Sequence, residues 1–290
     1  MKLGWIGTGV MGLQLAGHLQ NAGHELFVHN RTKSKTDPLT QKGAVWCGTP
    51  SEVSQQAEIV FAMVGFPTDV AETFLGKFGI LHDKATCRVI VDMTTSEPGL
   101  AEKISRKAAR SNIRSLDAPV SGGDVGARSG TLAIMVGGDQ STFEEVLPLF
   151  QIMGENIELM GPAGAGQHTK VCNQVKIAGT MIGMCECLLY ASKTGLDQQQ
   201  VINIIGKGAA GSWSINNYGP RITKGDYEPG FYVEHFIKDL GIALKEAAAI
   251  NLSLPGLALA HQLYIALQAQ GQGKKGTQAL INALKTLNGE

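Results

Sequence analysis

The stretch Lys2–Leu19, "KLGWIGTGVMGLQLAGHL", decides the fold. It opens as a short apolar run and passes into a turn that carries Gly7, Gly9 and Gly12. Beyond the turn, Val10–Asn21 repeats apolar positions with the period of a helix. In a strand–turn–helix unit each glycine of the G-x-G-x-x-G spacing has its own task. One makes a tight turn, one lets the backbone approach a pyrophosphate, and one lets the helix pack closely on the strand. The helix N-terminus then presents its orphan N–H groups to the phosphates. The spacing is a weak signal alone. Placed between a strand and a helix, it makes Gly7, Gly9, Val10, Met11 and Gly12 the expected binding turn for a dinucleotide.

The same alternation continues outward to about Gly161. Apolar runs recur at "ELFVHN" (25–30), "IVFAMV" (59–64), "RVIVDM" (88–93), "IRSLDAPV" (113–120), "LAIMVGG" (132–138) and "IELMG" (157–161). Helical spacing separates several of them, at Thr68–Phe74, Pro98–Arg110 and Ser141–Met153. Near-continuous apolar strands alternating with helices predict a parallel sheet covered on both faces. From Gly166 to Lys193 the pattern becomes one long apolar-rich helix. Further helices are expected at Gln198–Gly206, Val233–Asn251, Pro255–Gln270 and Gly276–Leu287. The expectation is an α/β domain over 1–162 and an all-helical domain over 163–290, with "GPAGAG", Gly161–Gly166, as the hinge.

Composition narrows the function classes. Lys and Arg number 25 and Asp and Glu number 25 in 290 residues, so there is no electrostatic footprint for nucleic acid and no basic face for a membrane surface. The longest apolar stretches are interrupted by Lys, Glu, Gly or Asn short of spanning length. A strand pattern follows Met1 almost at once, leaving no room for a signal peptide. Cys47, Cys87, Cys172, Cys185 and Cys187 include no C-x-x-C and no His at ligand spacing. They read as reduced core thiols of a cytoplasmic protein, not as disulfides or a zinc site. No Ser/His/Asp or Cys/His arrangement suggests a hydrolase, and no carboxylate cluster suggests a metal.

The end of the second strand distinguishes the dinucleotides. An acid there would hold a ribose 2′-hydroxyl; this chain has Asn30, Arg31 and Thr32 instead. Arg31 can grip a 2′-phosphate in two-point fashion, a charge-assisted contact of about 1.5–3 kcal/mol, so NADP is expected over NAD. Lys33 and Lys35 read as solvated. A methyltransferase with a Gly-rich first loop would want an acid where Arg31 stands. Val64–Pro67 and Thr95 follow two further strands, at the sheet edge where such folds bind ligands. In "DAPVSGG", Ser121, Gly122 and Gly123 offer a hydroxyl and unobstructed N–H groups to a carboxylate, while Asp117 ties the turn.

One lysine stands out. In "GAGQHTKVCNQVKIAG", Lys170, Asn173 and Gln174 share a helix face at the head of an apolar run. Desolvation moves a lysine from a reference pKa of about 10.4 toward the ~7–8 that suits proton transfer. His168 is a rival donor two residues earlier. Lys238 and Asp239, in "HFIKDLGIAL", read as either surface or site residues of a later helix.

The motifs "GWIGTGVMG", "DAPVSGG", "GQHTKVCNQ" and "KDL", in this order and spacing, resemble the β-hydroxyacid dehydrogenase family across nearly the whole chain. That family includes 3-hydroxyisobutyrate dehydrogenases and semialdehyde reductases. The resemblance implies a Rossmann-type N-terminal domain, an all-α C-terminal domain and a homodimer or homotetramer. It implies Lys170 as catalytic acid/base with Asn173 alongside, Ser121, Gly122 and Gly123 on the substrate carboxylate, and Thr95 and Lys238 on the cofactor. Gln174 stands where many relatives have a second Asn, and Asn30 where several NAD-using members have Asp. An imine reductase-like enzyme would share the fold but often lacks a lysine at 170. A non-catalytic dinucleotide-binding module is the alternative from another class.

Overall fold

In the computed structural model, which describes residues 1–82 and 85–290, the chain begins β1 (Lys2–Ile6), α1 (Val10–Asn21), β2 (Glu25–His29), α2 (Asp37–Thr40), β3 (Val45–Trp46), α3 (Pro50–Gln56), β4 (Ile59–Ala62) and α4 (Pro67–Leu75). It continues through β5 (Val89–Asp92), α5 (Pro98–Ala109), β6 (Arg114–Asp117), β7 (Val120–Ser121), α6 (Gly123–Ser129), β8 (Leu132–Gly137), α7 (Gln140–Phe150) and β9 (Gly154–Gly161). Helices follow: α8 (Ala165–Lys193), α9 (Gln198–Ile205), α10 (Trp213–Asn217), α11 (Gly219–Thr223), α12 (Val233–Ala249), α13 (Pro255–Leu267) and α14 (Leu280–Leu287). The chain divides into two compact units, Met1–Lys170 and Val171–Glu290, with the division inside α8.

In the first unit the strands run in the order β3-β2-β1-β4-β5-β6-β8-β7, with β9 beside β8. β3 through β6 are parallel; β6 and β7 are both antiparallel to β8, and β9 is parallel to it. The succession 3-2-1-4-5-6 is the doubly wound order, in which ligands bind outside the carboxyl ends of the strands where the order reverses. Alternation along buried strands explains their unbroken apolar composition. Trp5 and Phe61 stack at 5.7 Å in one core, and Val60 and Ile90 join Phe74 in another.

The second unit is built on α8. Met181, Cys185 and Leu188 pack there with Phe236, Tyr264 and Leu280 in one core. Tyr264 is fully buried and donates its hydroxyl hydrogen to the Thr277 carbonyl at 2.9 Å. By length and composition alone α8 is apolar enough to cross a membrane, so the expectation of interrupted apolar stretches does not hold for it; its buried positions pack into this core.

Several local readings need correction. "IRSLDAPV" is two strands that keep one register against β8, interrupted where Pro119 has no N–H for the ladder. β3, α3, α6, α10 and α11 escape a periodicity search because each is too short to show a period. Even so, α3 carries a readable start: Thr49 accepts the Glu52 N–H at 3.1 Å and Pro50 occupies the first turn. The helix expected through Gln270 ends at Leu267, before a wider turn with Gly271 at φ +78°. By residue type alone, apolar packing is the expectation for both Trp213 and Phe231; Phe231 packs against Phe236 at 5.9 Å, whereas Trp213 is 59% exposed.

The cysteines also divide. All are free, but only Cys47, Cys87 and Cys185 are buried; Cys172 is exposed and Cys187 half-buried. Burial, the dominant cause, pushes the Cys47 thiol up to about 11 and the Cys87 thiol up to about 12, and raises Cys185 as well. Alkylation of the native protein near neutral pH is therefore expected to leave these three unmodified until urea is added. Peptide mapping that finds any of them modified in the native protein contradicts their placement.

Candidate active site

The turn after β1 has the shape the glycines imply. Gly7 sits at φ +94°, and a Cβ there would collide with the Met63 carbonyl oxygen. A Cβ at Gly12 would collide with the Gly7 carbonyl oxygen, which the buried Trp5 indole N–H also approaches at 2.9 Å. At Gly9, by contrast, an added Cβ would have nothing within 4 Å among the described residues. Gly9 is also the N-cap of α1, and no side chain caps the first N–H groups of that helix there. The Thr8 hydroxyl is buried without a hydrogen-bond partner among the described residues. Open room, uncapped donors and an orphaned hydroxyl in one turn fit a pyrophosphate.

Asn30 joins this turn to the end of β2. It accepts the Thr8 N–H at 3.0 Å and donates to the Thr32 carbonyl at 2.9 Å. The Arg31 side chain is 90% exposed, with one guanidinium nitrogen 3.5 Å from Asp69. Lys33, read as merely solvated, lies over the Trp46 ring at 4.3 Å. Val64 and Thr95 follow the carboxyl ends of β4 and β5 and Ser121 is the last residue of β7, so these expected site residues of the first unit lie at the carboxyl ends of its strands. Gly122 at φ +132° and Gly123 at φ +61° turn the chain from Ser121 into α6.

The head of α8 is held by a carboxylate. Asp117, 3% exposed at the end of β6, accepts the Gly164 N–H at 2.7 Å and the Gln167 N–H at 2.9 Å. Burial raises this carboxyl above its ordinary range, and the N–H groups of Gly164, Gln167 and Gly166 pull it back down. A Cβ at Gly166 would strike the Met135 and Asp117 carbonyls, and one at Gly137 would strike Asp117 and the Gly166 nitrogen. The glycines read as a hinge thus serve close approach at this point, and Asp117 does more than tie its own turn. One turn into α8, Lys170 is 6% exposed, whereas His168 is exposed.

In the second unit a polar chain runs between α8 and α12. Lys238 lies 3.0 Å from Asp239, which is 2% exposed, so the surface reading of Asp239 is wrong. Asp239 accepts from Gln174 Nε2 at 2.5 Å, and Gln174 Oε1 accepts from Asn173 Nδ2 at 2.6 Å. A carboxylate only accepts, so it fixes which way both amides point. With Nδ2 committed to Gln174, Oδ1 is the acceptor end of the Asn173 amide. Asp239, Gln167 and Thr94 were not expected in these positions. Their signals were a charge inside an amphipathic helix and polar residues at the ends of buried runs.

A doubly wound sheet whose first turn is shaped for a pyrophosphate is the architecture of a dinucleotide-dependent oxidoreductase. Residues 2–161 match the family described as the NAD binding domain of 6-phosphogluconate dehydrogenase, and residues 164–284 that described as NAD-binding of NADP-dependent 3-hydroxyisobutyrate dehydrogenase. The chain is 52% identical over 288 residues to a probable 3-hydroxyisobutyrate dehydrogenase-like 1, mitochondrial, of Arabidopsis thaliana, covering 99% of this chain and 86% of that one. It is 39% identical over 287 residues to the 2-hydroxy-3-oxopropionate reductase of Escherichia coli, covering 99% and 98%. The solved structure of Mycobacterium tuberculosis 3-hydroxyisobutyrate dehydrogenase with L-serine superposes with a TM-score of 0.89 at 28% identity, covering 98% of each chain. The protein belongs to the β-hydroxyacid dehydrogenase family, NAD(P)-dependent oxidoreductases that act on CH–OH groups.

The Asp117 clamp has a measurable consequence. Asp117→Ala leaves two buried N–H donors without their acceptor, at about 1–3 kcal/mol each. Urea unfolding should show a correspondingly lower midpoint; an unchanged midpoint would show that the clamp contributes nothing.

Proposed function

We propose that this enzyme interconverts a short semialdehyde and the matching β-hydroxyacid, with NADP as the preferred cofactor and Lys170 as general acid/base. The observation that carries the reading is Lys170 itself, 6% exposed on the first turns of a helix fixed by Asp117. An amine held out of water gives up its proton more readily than one in bulk. The bound nicotinamide supplies the hydride in reduction and takes it in oxidation. Lys170 donates a proton to the substrate carbonyl oxygen during reduction and receives one from the alcohol in reverse. The Ser121 hydroxyl and the Gly122 and Gly123 N–H groups hold the carboxylate, so contacts away from the reacting carbon orient it. The proteins named above carry the names of, or were solved with, short acids that have oxygen on the carbon β to the carboxylate. The same substrate class is assigned to this chain.

Asn173 keeps Oδ1 as an acceptor because Asp239 sets the amide polarity through Gln174. That acceptor, three residues from Lys170 on the same helix, suits the lysine ammonium or the substrate hydroxyl. Thr95 and Lys238 are assigned to the cofactor, Gly7, Gly9, Val10, Met11 and Gly12 to its pyrophosphate, and Val64 to the nicotinamide side. Asn30, Arg31 and Thr32 receive the 2′-phosphate end. The free thiols suit a reducing compartment, and a cytoplasmic location is proposed. Exposed Ile250, Leu252 and Leu259 in the second unit suit self-association as a homodimer or homotetramer.

The test is a panel of tartronate, methylmalonate and succinic semialdehydes and glyoxylate, with 3-hydroxyisobutyrate and L-serine in the oxidative direction, each with both cofactors. Turnover of a short 3-oxo acid with NADPH is expected. Silence across the panel with tight NADPH binding would instead make the protein a non-catalytic dinucleotide-binding module. Arg31→Ala should cut the NADPH-over-NADH preference about tenfold, one charge-assisted hydrogen bond's worth; a wild-type enzyme that prefers NADH refutes the assignment of Arg31. Asp239→Asn, which frees both amides to flip, should lower kcat by about tenfold on the same scale. Unchanged kcat would show that amide polarity is immaterial.

A further inference from the structure

Gln167 is fully buried and stands three residues before Lys170. Its side-chain amide makes two hydrogen bonds to a single strand end. Nε2 donates to the Thr94 carbonyl at 2.7 Å, and Oε1 accepts the Ser96 N–H at 2.9 Å. The residue between those two contacts is Thr95. An amide bonded through both its donor and its acceptor to the residues on either side leaves the bracketed residue little freedom to slide or rotate.

Each end of the bracket is fixed in turn. The Gln167 N–H is bonded to Asp117 at 2.9 Å. Thr94 donates its N–H to Asp92 at 2.9 Å, and its hydroxyl oxygen accepts the Val64 N–H at 3.0 Å. Asp92 and Asp117 are register partners on β5 and β6. The loops after β4 and β5, the end of β6 and the first turn of α8 are thereby tied into one buried polar network. Gln167 is the member that joins the helix to the Thr95 loop through its side chain.

We infer that Gln167 is a positioning residue, which sets Thr95 against the helix turn that carries Lys170. The cofactor contact and the proton donor are then placed by the same amide. This rests on the proposed reading of Thr95 as a cofactor contact. The chemistry requires Gln at this place: Asn is one methylene short of the bracket, and an ionised Glu cannot donate to the Thr94 carbonyl.

A double-mutant cycle on NADPH affinity tests it, with Gln167→Met, Thr95→Val and the double variant of the full chain. Each single substitution should weaken NADPH binding about tenfold, on the scale of one hydrogen bond to a charged group, and the double variant no more than the weaker single one. Multiplying losses in the double variant would mean that Gln167 acts on the fold at large, which overturns the inference, as would unchanged affinity in Gln167→Met. Should Gln167→Met not fold, Gln167→Glu carries the test. Its NADPH affinity should be poor above neutral pH and recover as the carboxyl takes up a proton and regains a donor, relative to the wild type across the same range. Affinity that follows the wild type across that range overturns the inference. Wild-type affinity in Thr95→Val removes the inference at its base while leaving the outcome of the aldehyde panel untouched, and a silent panel leaves the affinity cycle readable.

Discussion

A single buried carboxylate decides where the long helix of this protein begins. Asp117 lies at the end of β6, and both of its oxygens accept N–H groups from the chain entering α8. Burying a carboxylate is unfavourable unless hydrogen bonds replace its water, and the orphan donors of a helix start are the natural replacement. The approach is close enough that Gly137 and Gly166 have no space for a side chain. That contact, together with the Gln167 side-chain bonds to Thr94 and Ser96, sets the first turn of α8 against the strand ends.

The second unit uses the same physics differently. Asp239 is as buried as Asp117, but it takes a side-chain amide and a lysine instead of backbone donors. Because the acid accepts only, its effect travels through Gln174 to Asn173 as a direction of donation. In one case an anion fixes position; in the other it fixes polarity. Each carboxylate has an uncharged amide, Gln167 or Gln174, as a next member of its chain, and Asp239 also pairs its charge with Lys238.

Much of the fold was legible in the sequence because long elements announce themselves. α1 and α8 were readable from their period and from the glycines that flank them, and the strands from their unbroken apolar runs. Short pieces were not: β3, α6, α10 and α11 span too few residues to show a period. Of the candidate site, the glycine turn after β1, Ser121 and Lys170 could be picked out by residue type and spacing. Gln167 and Asp239 could not, because their significance lies in partners distant in sequence: Gln167 meets Thr94 and Ser96 more than 70 residues away, and Asp239 meets Gln174 across 65. A polar residue at the end of a buried run, such as Asp117 after "RSL", is a signal that something must satisfy it, without saying what. Trp213 shows the opposite failure, where residue type suggested core and the chain left the ring exposed.

The central claim is that the amine of Lys170 moves the proton. Turnover of Lys170→Ala with the best substrate of the panel, measured alongside its NADPH affinity, addresses it most directly. A fall in kcat of at least about 10², with NADPH affinity nearly intact, is the outcome the account predicts. Near-normal turnover with that side chain gone would contradict it.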